Sequence, residues 1–158
     1  MELLDLDKSL SKEELYLQVQ PQLHALLIGE EDKIANLANF CAVLKEAFQW
    51  WWVGFYFVKG NELVLGPFQG PVACTRISFG KGVCGKAWES KSAIIVPDVH
   101  QFSGHIACSS ASNSEIVLPV FSAQNELVAV LDVDSQFFNH FDEVDEKYLA
   151  TFLTYLAL

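Results

Sequence analysis

Positive charge is scarce in this sequence: 10 lysines and arginines stand against 20 acidic residues, a formal charge of −10 over 158 residues. No stretch gathers the basic residues into a cluster. A surface of that sign repels phosphate backbones and offers no local groove for them, so nucleic acid is not expected as a partner. The sequence also lacks an apolar run long enough for a membrane span. The longest, residues 50–58, is about half of the roughly 20 residues required, and its aromatic content suits a buried strand. The first seven residues are acidic and have neither the basic flank nor the long apolar stretch of a secretory signal. A reducing cytoplasm is therefore the expected setting. No low-complexity tract, Pro/Ser-rich linker or internal repeat divides the chain. With 51% hydrophobic residues it is long enough to bury one core, and a single domain over residues 1–158 is expected, with 1–29 as an N-terminal helical segment and 30–158 as the body.

Four cysteines are present, Cys41, Cys74, Cys84 and Cys108. In a reducing compartment, several cysteines more often serve as metal ligands or redox-active thiols than as structural bridges. Cys41 falls in an apolar three-four stripe with Ile34, Leu37, Leu44 and Phe48, which predicts a helix whose thiol packs as a small hydrophobe. Before it, Ser11 and Glu14 form a capping-box pattern ahead of Leu15, Val19, Leu23, Leu26 and Leu27. Pro21 is expected to kink or interrupt that first helix, and Gly29 to stop it.

An aromatic strand is predicted over residues 51–58, turning at Lys59-Gly60-Asn61 into a partner at 62–65. Alternation puts Trp51, Val53, Phe55 and Phe57 on one face and Trp52, Gly54 and Tyr56 on the other. Gly54 leaves a gap between two aromatic walls, which either a neighbouring side chain or a ligand fills. Residues 66–71 read as turns, 72–79 as extended, 82–90 as a short helix and 93–96 as a buried strand. A long polar loop without periodicity spans 99–114, and a loop of that length in a compact domain is usually functional or disordered. Strands resume at 115–121 and 126–135, and Asp142 caps a last helix. This order of elements argues for an α+β fold, an antiparallel sheet with helices mainly on one side. GAF and PAS arrangements both satisfy it.

Asp132 and Asp134 lie two apart on a strand, so their carboxylates share a face with Val128 and Val130, opposite Leu127, Ala129, Leu131 and Val133. Glu115 begins the preceding strand of the same hairpin. If register brings these ends together, three carboxylates converge, at least one pKa rises, and a proton stays available near neutrality. Residues 80–85, GKGVCG, match the G-x-G-x-x-G turn of dinucleotide sites, with Asp98 in place of the ribose acid. The helix that follows is only about two turns long and no parallel βαβ unit is apparent, so nucleotide is not the preferred reading. Near the start of that helix, Cys84 is expected to feel the positive end of the dipole, which lowers a thiol pKa. Cys108 sits in a small-residue loop. With Cys84, His100 and His105 it would make two His and two Cys, but the spacing lacks the close ligand pairs of structural zinc sites, and no metal is expected.

Taken together, GPFQGPVACTR (66–76), GKGVCGKAW (80–88), PDVHQFSGHIACSSASNSE (97–115) and LDVDS (131–135) resemble the free methionine-(R)-sulfoxide reductases, a GAF-domain family. The resemblance runs from the aromatic strand to the last helix and is weakest in the first thirty residues. It implies a GAF-like sheet with a loop-rich ligand pocket opposite its helices. It implies reduction of free L-methionine (R)-sulfoxide to L-methionine through a cysteine sulfenic acid and an intramolecular disulfide. Cys108 matches the attacking cysteine, Cys74 and Cys84 the recycling cysteines, Trp52 and Tyr56 the aromatic pocket, and Glu115, Asp132 and Asp134 its acids. The disulfide would join Cys108 to Cys74 or Cys84, with Cys74 favoured by its extended segment beside Gly70-Pro71. No cofactor is implied, thioredoxin or a similar dithiol is the implied reductant, no membrane partner is expected, and a homodimer is left open. The alternative is a GAF module that binds a small effector and performs no chemistry, since the fold serves both.

Overall fold

The computed structural model describes residues 4–104 and 110–156. Helix α1 (Lys12–Leu27) starts at the Ser11/Glu14 capping box and runs through Pro21 without a break. The expected interruption does not occur because Pro21 is exposed and Leu17, whose carbonyl loses its helical partner, is 53% exposed, so water can reach the orphaned acceptor. Helix α2 (Lys33–Phe48) is capped by the Asp32 carboxylate, which accepts from the Ala35 N–H. Its buried stripe is Leu37, Phe40, Cys41, Leu44 and Ala47, whereas Ile34, expected there, lies in the first turn and is exposed.

Strands β1 (Trp52–Lys59), β2 (Glu62–Gln69) and β3 (Arg76–Ser78) precede helix α3 (Gly82–Ser90) and strand β4 (Ile94–Val96); after a 3-10 turn at Val99–Gln101 come β5 (Ser114–Phe121), β6 (Leu127–Ser135) and helix α4 (Glu143–Leu153). The six strands form one sheet in the order β3-β2-β1-β6-β5-β4, with every neighbouring pair antiparallel. The turn expected at 66–71 is replaced by a continuation of β2 to Gln69. Register steps from Tyr56↔Leu65 to Gly54↔Phe68, so Gly66 and Pro67 are absorbed in a bulge opposite Phe55, where a residue without an N–H is tolerated. The extended run expected over 72–79 shrinks to the three residues of β3.

The sheet separates two cores. On one face Val53, Phe55, Ile116, Leu118, Leu131 and Val133 pack with the buried residues of α1, α2 and α4. On the other, Trp52, Tyr56, Val117 and Val130 pack with Val83, Cys84 and Ala87 of α3. Three helices thus cover one side and the single short helix α3 the other, leaving room for a pocket beside it. Asp145 at the start of α4 is buried and binds α1 directly, accepting from the Tyr16 hydroxyl at 2.8 Å and the Lys12 ammonium at 2.5 Å. Among the described residues, no helix is long and apolar enough to cross a membrane.

Candidate active site

The β5–β6 hairpin places its acids by register. Glu115 lies opposite Asp134, and Val117 lies opposite Asp132. With a side-chain period of two, all three carboxylates leave the sheet on the α3 side. They line one pocket with Cys84 of α3 and the aromatic side chains of Trp51, Trp52 and Tyr56, a cavity of about 40 Å³ that opens to solvent.

β1 builds the aromatic wall. Trp52 and Tyr56 stack with ring centroids 5.9 Å apart, and Trp52 stacks on Phe68 at 5.3 Å. Two backbone carbonyls anchor them: the Trp52 indole N–H donates to Pro71 at 3.1 Å and the Tyr56 hydroxyl to Cys74 at 3.0 Å. The gap at Gly54 is not a ligand space. A Cβ there would fall 2.4 Å from Phe68 Cβ and 2.5 Å from the Trp52 ring, so the glycine lets the indole lie flat on the sheet. Trp51, expected by alternation on the face of Val53 and Phe55, lines the pocket with Trp52 and Tyr56 instead, because β1 begins at Trp52 and the period does not extend to the residue before it.

α3 brings in Cys84, which is buried and free. The last glycine of the GKGVCG run has a packing role: a Cβ on Gly85 would meet the Ser78 carbonyl at 2.7 Å, so the pattern seats a helix against the β3 turn. The Cys84 sulfur lies 4.0 Å from Glu115 Oε1. Its thiol is pushed well above the ordinary value, first by burial and then by the charges of Asp132 and Glu115. The lowering expected from the helix N-terminus is therefore overturned.

Burial likewise drives the Glu115 and Asp132 carboxyls well above the usual carboxylate range, with neighbouring charges adding to it: Asp132 and Asp134 on Glu115, and Asp134 on Asp132. Asp132 is partly held down by hydrogen bonds from Cys84 and Glu115, yet its Oδ1 is buried with no partner. Asp134 rises only to about 6, through burial, because the Ser112 hydroxyl donates a short hydrogen bond to its Oδ1. Near neutrality the cluster thus has one ionised member, Asp134, and a Glu115–Asp132 pair that retains a proton. Ser112 was not singled out from its sequence, where it is one small polar residue among several in the loop.

Cys74 is disulfide-bonded, while Cys41 and Cys84 are free thiols. Cys41 is buried in the helical core, its thiol donating to the Pro67 carbonyl at 3.5 Å and pushed up by burial. Cys108 and His105 lie outside the described residues. Of the zinc set considered from sequence, His100 is exposed and bonded to Asn113, and it is not a member of the metal-spaced group found among the described residues, Cys84, Glu115 and Asp132, whose donor atoms lie within 4.8 Å of one another.

Residues 37–158 match the GAF domain family. GAF domain-containing protein A of Dictyostelium discoideum is 60% identical, over 92% of this chain and 92% of its own length. The free methionine-R-sulfoxide reductase of Escherichia coli (strain K12) is 46% identical, over 89% of this chain and 85% of its own. The X-ray structure of free methionine-R-sulfoxide reductase from Neisseria meningitidis in complex with its substrate aligns with a TM-score of 0.95 at 50% identity, covering 99% of this chain and 94% of that one.

Proposed function

The chain belongs to the GAF-domain family of free methionine-R-sulfoxide reductases, and from that premise we propose that it reduces free L-methionine (R)-sulfoxide with its own thiols. The observation that carries this reading is the meeting of three carboxyls, Glu115, Asp132 and Asp134, in one aromatic-walled pocket beside the segment of Cys74, where burial favours keeping a proton on the first two. Reducing a sulfoxide takes a sulfur nucleophile at the electrophilic sulfur and protons for the oxygen. The Cys108 thiolate attacks that sulfur. As the S–O bond breaks, the oxygen passes to Cys108 with a proton from the Glu115–Asp132 pair, giving Cys108 sulfenic acid and methionine. The Cys74 thiol condenses with the sulfenic acid, an S–S bond forms and water leaves. An external dithiol of the thioredoxin type then returns two electrons and two protons by thiol–disulfide exchange.

The disulfide state of Cys74, with Cys84 free and its thiol pushed up, favours Cys74 over Cys84 as the first resolving thiol. Trp51, Trp52 and Tyr56 hold the S-methyl end and Asp134 the ammonium. Every group invoked comes from one chain, so the scheme does not require the homodimer left open from sequence. Single-turnover methionine release from separate R and S sulfoxides tests it. Wild type, Cys74→Ser and Cys84→Ser are expected to release about one methionine per subunit from the R form, and Cys108→Ser none, with two thiols lost per turnover in wild type. Full yield from Cys108→Ser, or substrate bound with no thiol lost, would overturn the proposal, the latter in favour of a binding module.

A further inference from the structure

We propose that Cys84, Glu115 and Asp132 form a binding site for one thiophilic divalent cation of the Zn²⁺ or Cd²⁺ class, so that the pocket can be closed by metal. The three donors come from α3, β5 and β6, elements that pack on one another, and they lie within 4.8 Å of one another. Metal–sulfur and metal–oxygen bonds of about 2.3 and 2.0–2.2 Å in a tetrahedral shell put sulfur and oxygen roughly 3.5 Å apart. The 4.0 Å between Cys84 Sγ and Glu115 Oε1 is closed to that by a small side-chain rotation.

A second observation points independently to a ligand: Asp132 is 93% buried, and its Oδ1 has no hydrogen-bond partner at the pocket wall. Among the described residues lining the pocket there is no lysine, arginine or histidine whose charge would repel a cation. A sulfur with two carboxylate oxygens favours a borderline or soft cation over Mg²⁺ or Ca²⁺, which take oxygen ligands. Three protein ligands leave a fourth position for water. Asp134, held by Ser112 and facing Glu115 across the hairpin, supplies outer-shell order. This site uses neither Cys74 nor Cys108 and does not depend on the reductase reading.

The test is titration with Co²⁺ of the full chain in its disulfide form, in which Cys41 and Cys84 are the free thiols among the described residues. The readout is the thiolate-to-cobalt charge-transfer band in the near ultraviolet, followed by displacement with Zn²⁺. One equivalent is expected. The band should persist in Cys41→Ser and vanish in Cys84→Ser, and Asp132→Asn should weaken Zn²⁺ binding by more than about 100-fold, beyond what outer-shell losses cost. A band that survives Cys84→Ser, no band in wild type, or Mg²⁺ competing as well as Zn²⁺ would overturn the proposal. Should Cys84→Ser fail to fold by circular dichroism, Asp132→Asn decides: unchanged Zn²⁺ affinity refutes the site. No turnover enters the measurement, so its outcome is separate from that of the sulfoxide assay.

Discussion

Ser112→Ala removes one hydroxyl from the acid cluster, the donor that holds Asp134 at about 6 while burial drives its neighbours far higher. A hydrogen bond to a buried charged group contributes about 1.5–3 kcal/mol, and 1.36 kcal/mol is one pKa unit, so the Asp134 pKa should rise by roughly 1–2 units, to about 7–8. The sign follows from which form is bonded: the hydroxyl donates to the carboxylate, and losing it disfavours ionisation. If ionised Asp134 takes the substrate ammonium, the acid limb of the kcat/KM profile moves up by the same amount. At pH 7 the ionised fraction falls from roughly nine-tenths to between about a half and a tenth, an activity loss of roughly 2- to 10-fold that recovers at pH 9. Ser112→Thr, which keeps the hydroxyl, should restore most of the wild-type profile. The measurement is kcat/KM for free methionine (R)-sulfoxide from pH 5 to 9. A loss of equal size at every pH, with the limb unmoved, would refute the assignment of Asp134 as the ionised member.

Three further outcomes follow from the same geometry. Asp134 has a folded pKa of about 6 against an ordinary 3.8, so its contribution to stability is fully present below the unfolded value and lost as pH rises through 6. Relative to wild type, Asp134→Asn should gain up to about 3 kcal/mol between pH 4 and 7, measured by urea unfolding; a pH-independent difference would contradict this. Gly54→Ala should destabilise by about 1–3 kcal/mol through overpacking, because the added carbon would stand 2.4 Å from Phe68 Cβ; an unchanged denaturation midpoint would show that the Trp52 ring yields freely. N-acetylated, C-amidated methionine sulfoxide has no ammonium for Asp134, and an unpaired buried charge costs about 2–5 kcal/mol, roughly a 30- to several-thousand-fold loss in kcat/KM against the free amino acid; similar values would mean the acids do not read the ammonium.

Which of these features could be read from the sequence depends on the range of the force behind each. The face of Asp132 and Asp134 follows from a period of two that no register shift can undo within the strand, and the short 122–126 connection of the hairpin sets Glu115 opposite Asp134. Gly66-Pro67 looks like a turn because bulges and turns call for the same residues; only the strand opposite tells them apart. Ser112 and Trp51 acquire their places from what lies across the pocket, and neither belongs to a periodic pattern. Cys84 separates the two kinds of information most clearly. Its position near the start of α3 is local, and a helix terminus is worth about 0.3–1 kcal/mol to a charge. Its burial against Glu115 and Asp132 joins residues 31 and 48 positions away. Full burial moves a pKa by up to 3–5 units at 1.36 kcal/mol each, several times the dipole's worth. The tertiary effect therefore sets the sign, and a thiol that looks activated in one dimension is a protonated wall of the pocket in three.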